Sequence, residues 1–178
     1  MKYLTPVYLT LMHAFRDAAN SRLNDDEYRR IYDPIGLMKE YGTLRIDGGR
    51  QTGKTEAVAQ FAKDWLLEGG SVIILSTRYT QSNETADVIK NAYKSSRSIN
   101  KSNDYDLNHN VIPMAMRSFL SDTSRFRGIR LNRCLFVIEE PMKVPELDKF
   151  YSAYMENTRW SVMANSDKLP LFFVIGMQ

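Results

Sequence analysis

The chain has 178 residues, of which 43% are hydrophobic and 25% charged, with 24 Lys and Arg against 21 Asp and Glu. That length fits one domain of roughly 100–200 residues, and that composition excludes collagen-like, mucin-like and wholly disordered classes. No stretch approaches the ~20 apolar residues of a membrane span, one Cys excludes an internal disulfide, two His with it leave little for a zinc site, and a net charge of +3 permits nucleic-acid contact without demanding it.

The opening residues Met1 to Pro6 lead into Arg16 and Asp17 rather than a small-residue cleavage site, so a reducing cytoplasm is the expected compartment. Residues 7–23 place Val7, Tyr8, Leu11, Met12, Phe15, Ala18 and Ala19 at helical spacing, which predicts an amphipathic helix started by Thr5-Pro6. Residues 24–42 mix acids with Asp33-Pro34 and Gly36 and predict a short helix broken by turns. From residue 43 the pattern becomes short apolar runs separated by helical stretches, the signature of a parallel sheet with crossover helices. The predicted strands are Thr43 to Asp47, Ser71 to Ser76, Val111 to Met116, Cys134 to Glu139 and Leu171 to Ile175. The predicted helices are Lys54 to Glu68, closed by Gly69-Gly70, then Ser82 to Lys94 and Glu146 to Ala164. Residues 95–110, rich in Ser, Asn, Lys and Asp, read as a mobile surface loop.

Gly48-Gly49-Arg50-Gln51-Thr52-Gly53-Lys54-Thr55 fits the pattern Gly, any four, Gly-Lys-Ser/Thr, between a predicted strand and a predicted helix. Average residue usage produces that pattern by chance in about 0.6% of chains this long. The spacing has a mechanism. Backbone N–H groups of the loop and of the helix N-terminus surround phosphate oxygens, glycines allow close approach, Lys54 reaches the outer phosphates and Thr55 offers its hydroxyl to magnesium. No Gly-x-Gly-x-x-Gly follows a strand, which argues against a nicotinamide or flavin enzyme.

Leu135-Phe136-Val137-Ile138 reads as a strand covered on both faces, and it delivers Glu139-Glu140 at its carboxyl end, where open α/β sheets bind ligands. In that position Glu139 would hold magnesium and Glu140 would orient or deprotonate the attacking water. Adjacent glutamates ahead of Pro141 also suit a solvated turn, and Glu139 stands where Asp is usual. Arg50, inside the loop, is a candidate to neutralise charge developing on the γ-phosphate. Arg125, Arg127, Arg130 and Arg133 bracket Gly128. They read either as a solvated loop or as contacts to DNA phosphates or to a neighbouring subunit.

These residues together resemble the large-terminase ATPase of tailed-phage DNA-packaging motors. The likeness comprises the Gly-Arg-Gln-Thr-Gly-Lys-Thr loop, the strand Val72-Ile73-Ile74-Leu75 followed by Ser82-Asn83-Glu84-Thr85, and Ser118 and Ser121 before Phe126-Arg127-Gly128. It ends with Phe172-Phe173-Val174-Ile175-Gly176, and it spans roughly residues 43–178. The resemblance implies a P-loop NTPase three-layer α/β sandwich with a mainly parallel sheet, in which the strand ending at Ile175 lies between the phosphate-loop strand and the acidic strand. It implies one ATPase domain over 1–178, with 1–42 as a helical lead-in and 43–178 as the nucleotide-binding core. A full terminase also carries a C-terminal nuclease with clustered acidic metal ligands, and there the chain departs from the family, so no nuclease domain is expected in it. The resemblance also implies ATP and Mg2+ as ligands, double-stranded DNA as a partner, a homo-oligomeric ring or other packaging proteins, and the host cytoplasm. Gln178 would occupy the coupling or sensor position, although Met177-Gln178 departs from the small-residue motif usual there.

Two other readings remain: a small-molecule P-loop kinase with residues 125–133 as its lid, or a nucleotide-dependent module that binds DNA or protein with little turnover. For the base, Tyr32, Tyr41 or Ile35 could pack against adenine, but aromatics ahead of a strand are more often core.

Overall fold

Five apolar runs form five parallel strands: β1 (Thr43–Ile46), β2 (Ser71–Ser76), β3 (Val111–Ala115), β4 (Cys134–Glu139) and β5 (Leu171–Ile175). They lie side by side in the order β1-β5-β4-β2-β3, so the strand ending at Ile175 sits between the phosphate-loop strand and the acidic strand. The computed structural model describes residues 3–96, 103–122, 124–139, 144–163 and 167–176.

Burial explains the order. Val72 to Leu75 of β2 and Leu135 to Ile138 of β4 have no exposed surface, as expected of central strands covered on both faces. Truncating one of them, Ile74→Ala for example, should cost about 2–5 kcal/mol. Pro113 cannot donate to a neighbour, and β3, which carries it, is the edge strand beside β2 among the described residues. At the other edge, Arg45 of β1 is exposed.

The helices are α1 (Thr5–Leu23), α2 (Asp26–Ile31), α3 (Pro34–Glu40), α4 (Lys54–Leu67), α5 (Tyr79–Ser95), α6 (Asn103–Asn110), α7 (Met116–Ser121), α8 (Val144–Ala153) and α9 (Arg159–Met163). One π-turn, Tyr154–Thr158, joins α8 to α9. The chain steps from β1 to β2 to β3 in one direction and returns from β3 to β4 to β5 in the other. Right-handed crossovers then place α4 and α5 on one face and α7 and α8 on the opposite face. Consecutive phenylalanines of β5 mark the two layers, because strand side chains alternate. Phe173 meets Phe61 of α4 at a ring-centroid distance of 4.9 Å, while Phe172 stacks on Phe136 at 4.7 Å and meets Tyr151 of α8 at 5.0 Å. The result is a three-layer α/β sandwich.

Several expectations need correction. On α1 the core face is Thr5, Tyr8, Met12, Ala19 and Leu23, while Val7 and Leu11 are 60% and 44% exposed and Ala18 faces solvent. The segment 24–42 forms two helices. Asp25 accepts from the Glu27 amide and Asp33 from the Gly36 amide, so each helix has its own side-chain cap. The loop expected over 95–110 contains α6, anchored by buried Leu107; residues 97–102 lie outside the described residues. The lead-in is part of the same core as the sheet, since Tyr8, Met12 and Leu23 belong to one buried apolar cluster with β2, β4 and β5.

Candidate functional site

The phosphate loop links the end of β1 to the start of α4, and its backbone is unusual where the motif requires it. Gly53 has φ +99° and Gln51, not a glycine, has φ +60°. A left-handed residue other than glycine is uncommon, and such strain gathers at ligand-binding turns. Gly53 is the N-cap of α4 and supplies no side-chain cap, so the amides at the start of this 14-residue helix remain available to an anion.

Lys54 is only 8% exposed, and its ammonium folds back to donate to the carbonyls of Gly48 and, at 2.9 Å, Gly49. The Thr52 hydroxyl donates to the Gly49 carbonyl at 3.0 Å. The loop is further held from outside by α1. The Leu4 amide donates to the Thr52 carbonyl, Thr5 Oγ1 donates to the Gly53 carbonyl and the Tyr8 hydroxyl donates to Thr52 Oγ1, each at 3.3 Å. A Cβ on Gly48 would come within 2.6 Å of the Tyr8 hydroxyl oxygen, so a side chain there would displace that hydroxyl from the loop. None of these α1 contacts is visible in the motif, because Thr5 and Tyr8 lie more than forty positions away from it.

Arg50 and Gln51 are exposed at the loop apex, and Thr55 is exposed in the first turn of α4. Asp47, just before the loop, lies against the end of β5: a Cβ on Gly176 would meet its Oδ1 at 2.1 Å.

The acidic strand ends at a switch point. The chain leaves β2 and β4, adjacent in the sheet, toward opposite edges, which opens a crevice at their carboxyl ends. Glu139 is the last residue of β4, and its two oxygens accept from Ser76 Oγ of β2 and Thr85 Oγ1 of α5, both at 2.6 Å. Charge-assisted O–H···O bonds are this short. Sequence reasoning missed both partners as site residues; Thr85 stood only within a helix segment of the family likeness. Glu140 and Gln178 lie outside the described residues.

Arg125, Arg127 and Arg130 are exposed on the stretch that leads to the amino end of β4, the opposite end of the sheet from the phosphate loop. That stretch is fastened to α9 by Ser161, whose hydroxyl donates to the Phe126 carbonyl at 2.7 Å and whose carbonyl accepts from the Leu131 amide at 2.9 Å. The fold therefore does not bring these arginines to the phosphate loop of their own chain. Arg127 instead lines a surface pocket of about 410 Å³ with Glu156, Asn157 and the 71% exposed Trp160. Arg133 is not part of this exposed group. It donates to the Leu169 carbonyl at 2.8 Å and to Asn20, packs over the Trp65 ring at 5.2 Å, and burial pushes its guanidinium down to about 10. It is a structural tie between α1, α4 and the approach to β5.

The aromatics considered for a base pack on one another, with Tyr41 edge-on to Tyr28 at 5.1 Å and to Tyr32 at 5.7 Å. Among the described residues no group of three or more His, Cys, Asp or Glu could hold a metal ion. The protein oxygens that would hold a magnesium ion at a bound phosphate are those of Thr55, exposed in the first turn of α4, and of Glu139, whose carboxylate here is bonded to Ser76 and Thr85. Among the described residues no helix is long and apolar enough to cross a membrane.

The chain matches no family model. It is 38% identical over 182 residues to an Enterobacteria phage T4 protein described as an "uncharacterized 25.0 kDa protein in regB-denV intergenic region", an alignment covering 99% of this chain and 80% of the phage protein. At that identity over nearly its whole length, the chain belongs to the same bacteriophage protein family.

Proposed function

We propose that the protein is a magnesium-dependent, terminase-like ATPase that drives or regulates packaging of viral double-stranded DNA. The observation that carries the reading is the cradle at the end of β1. A loop bearing Gly48, Gly53 and Lys54, with left-handed backbone at Gln51 and Gly53, opens onto uncapped amides of α4. The acidic strand β4 stands two places away, with β5 between them. Kinship to a phage protein suits a packaging role.

In this reading Lys54 exchanges the Gly48 and Gly49 carbonyls for the outer phosphate oxygens of ATP, so its charge is already at the place where phosphate arrives. Gly48, Gly49, Arg50, Gln51, Thr52 and Gly53 surround the phosphates, and Arg50 at the exposed apex leans over the γ-phosphate. Thr55 and Glu139 would hold magnesium, which neutralises developing charge when bound. Glu140 would orient the attacking water, and Gln178 would serve as the coupling or sensor residue. Arg125, Arg127 and Arg130 face DNA phosphates or a neighbouring subunit in an oligomeric ring.

A second reading has one specific observation in its favour. Both oxygens of Glu139 are engaged by Ser76 and Thr85, which suits a module that binds nucleotide and a DNA or protein partner with little turnover. The kinase alternative loses its lid, because residues 125–133 approach the opposite end of the sheet.

Steady-state phosphate release from ATP with magnesium, with and without double-stranded DNA, separates the readings. A DNA-stimulated rate abolished by both Lys54→Ala and Glu140→Gln supports the motor. ATP binding with no release above the Lys54→Ala background supports the binding module, and phosphate transfer to an added nucleoside supports the kinase.

A further inference from the structure

Glu139 belongs to the strand that should deliver a metal-supporting carboxylate to the phosphate loop, yet its partners hold it on the other side. Strand order sets the direction. From β4, β1 and its loop lie two strands away, about 10 Å at the usual spacing. Ser76 belongs to β2, the neighbour on the far side, and Thr85 belongs to α5, which leads from β2 out to the edge strand β3. Ser76 has no exposed surface and Thr85 is 5% exposed, so neither hydroxyl is readily satisfied by bulk water once the carboxylate leaves. The methylene that distinguishes Glu139 from aspartate gives the carboxylate the reach to bridge a strand and a helix at 2.6 Å each.

We propose that Ser76 and Thr85 form a latch that restrains Glu139, and that Glu139 must leave both hydroxyls to support magnesium at the phosphate loop. The inference rests on the nucleotide reading given above and extends it to the regulation of the same site. Each carboxylate oxygen keeps a second lone pair, so position and not occupancy restrains Glu139: to reach the loop it must swing away from both hydroxyls, and leaving a buried hydroxyl without its partner opposes that movement. Ser76 and Thr85 are therefore positioning residues that raise the magnesium requirement. Thr85 also carries the state of the site into α5, because it loses its partner only when Glu139 moves.

The test is equilibrium binding of a fluorescent ATP analogue, titrated with magnesium and repeated in EDTA, for the native chain, Thr85→Val, Ser76→Ala and Thr85→Ser. The latch predicts that Thr85→Val and Ser76→Ala each lower the half-saturating magnesium concentration at least threefold. Thr85→Ser keeps the native value, and affinity in EDTA is the same for all four. A magnesium requirement that is unchanged or higher in Thr85→Val and Ser76→Ala overturns the latch, as does a Thr85→Ser that behaves like Thr85→Val. A change confined to the EDTA affinity marks a general loosening of the fold and also overturns it. If the native chain binds no nucleotide under either condition, the nucleotide reading falls and the latch with it; if it binds and only the magnesium prediction fails, the latch alone falls.

Discussion

The Asp47 carboxylate fills the space that a side chain on Gly176 would need: its Oδ1 lies 2.1 Å from the position of a Cβ there, while the Gly176 amide donates to the Ile46 carbonyl at 2.9 Å. The residue preceding the phosphate loop and the residue following β5 are thus in direct contact. Gly176→Ala should push the exposed Asp47 carboxylate aside, at a cost of about 0.5–1.5 kcal/mol in side-chain strain. In an Asp47→Ala background the two nearest atoms, Oδ1 and Cγ, are gone and the third, the residue 47 Cα at 3.6 Å, is an ordinary contact, so the cost should shrink. Urea unfolding of the two single variants and the double variant gives the coupling energy; strictly additive effects would contradict the contact.

Tyr8 is the furthest point at which α1 supports the loop through a side chain. Tyr8→Phe removes one hydrogen bond to Thr52 and should lower stability by about 0.5–1.5 kcal/mol. Thermal melting reads this as a fall of roughly 2–4 °C per kcal/mol for a chain of this size. A variant as stable as the native chain would show that the clamp does not hold the loop.

The arginines before β4 divide into two kinds. Arg133→Ala should destabilise by about 2–4 kcal/mol, through loss of its bonds to Asn20 and Leu169 and its packing on Trp65. Arg125→Ala, Arg127→Ala and Arg130→Ala should each stay within about 0.5 kcal/mol of the native chain, as exposed substitutions do. If they contact DNA, they should instead weaken binding and flatten its salt dependence. Chemical denaturation and salt-titrated DNA binding measure the two effects separately.

Alkaline pH should destabilise the fold before it reaches most surface groups. Burial raises the Cys134 thiol above its ordinary 9.0 and the Tyr151 and Tyr154 hydroxyls above their ordinary 10.0. The unfolded chain then sheds these protons first, so their contribution is intact below pH 9 and is lost as pH rises. A fully differing group costs about 1.4 kcal/mol per pH unit. Arg133, pushed down to about 10, acts in the opposite direction above that pH, so the clean window is pH 9–10. Unfolding free energy should fall across that window, and Cys134→Ala should flatten the fall; a level profile from pH 8 to 10 would contradict the burial argument.

Much of the architecture was legible because the central strands are uninterrupted apolar runs. The bounds of β2, β4 and β5 follow directly from Val72 to Leu75, Leu135 to Ile138 and Leu171 to Ile175. On α1, apolar residues come in adjacent pairs, Val7-Tyr8, Leu11-Met12 and Ala18-Ala19, and helical spacing cannot say which of each pair faces the core. The second member of each pair is the buried one. Helix α6 was hidden because its polar run has one described buried anchor, Leu107. The phosphate loop was legible because its function is encoded locally. The partners of Glu139 were not, because Ser76 and Thr85 lie 63 and 54 positions away and are joined to it only by the order of the strands.

The central claim, that the loop ending β1 binds nucleotide phosphates, is tested most directly by isothermal titration of ATP with magnesium into the native chain and Lys54→Ala, with melting curves showing that both are folded. The account predicts saturable one-site binding by the native chain and at least a tenfold loss of affinity in Lys54→Ala. Equal affinity in the two, or a folded native chain that takes up no ATP, would contradict it.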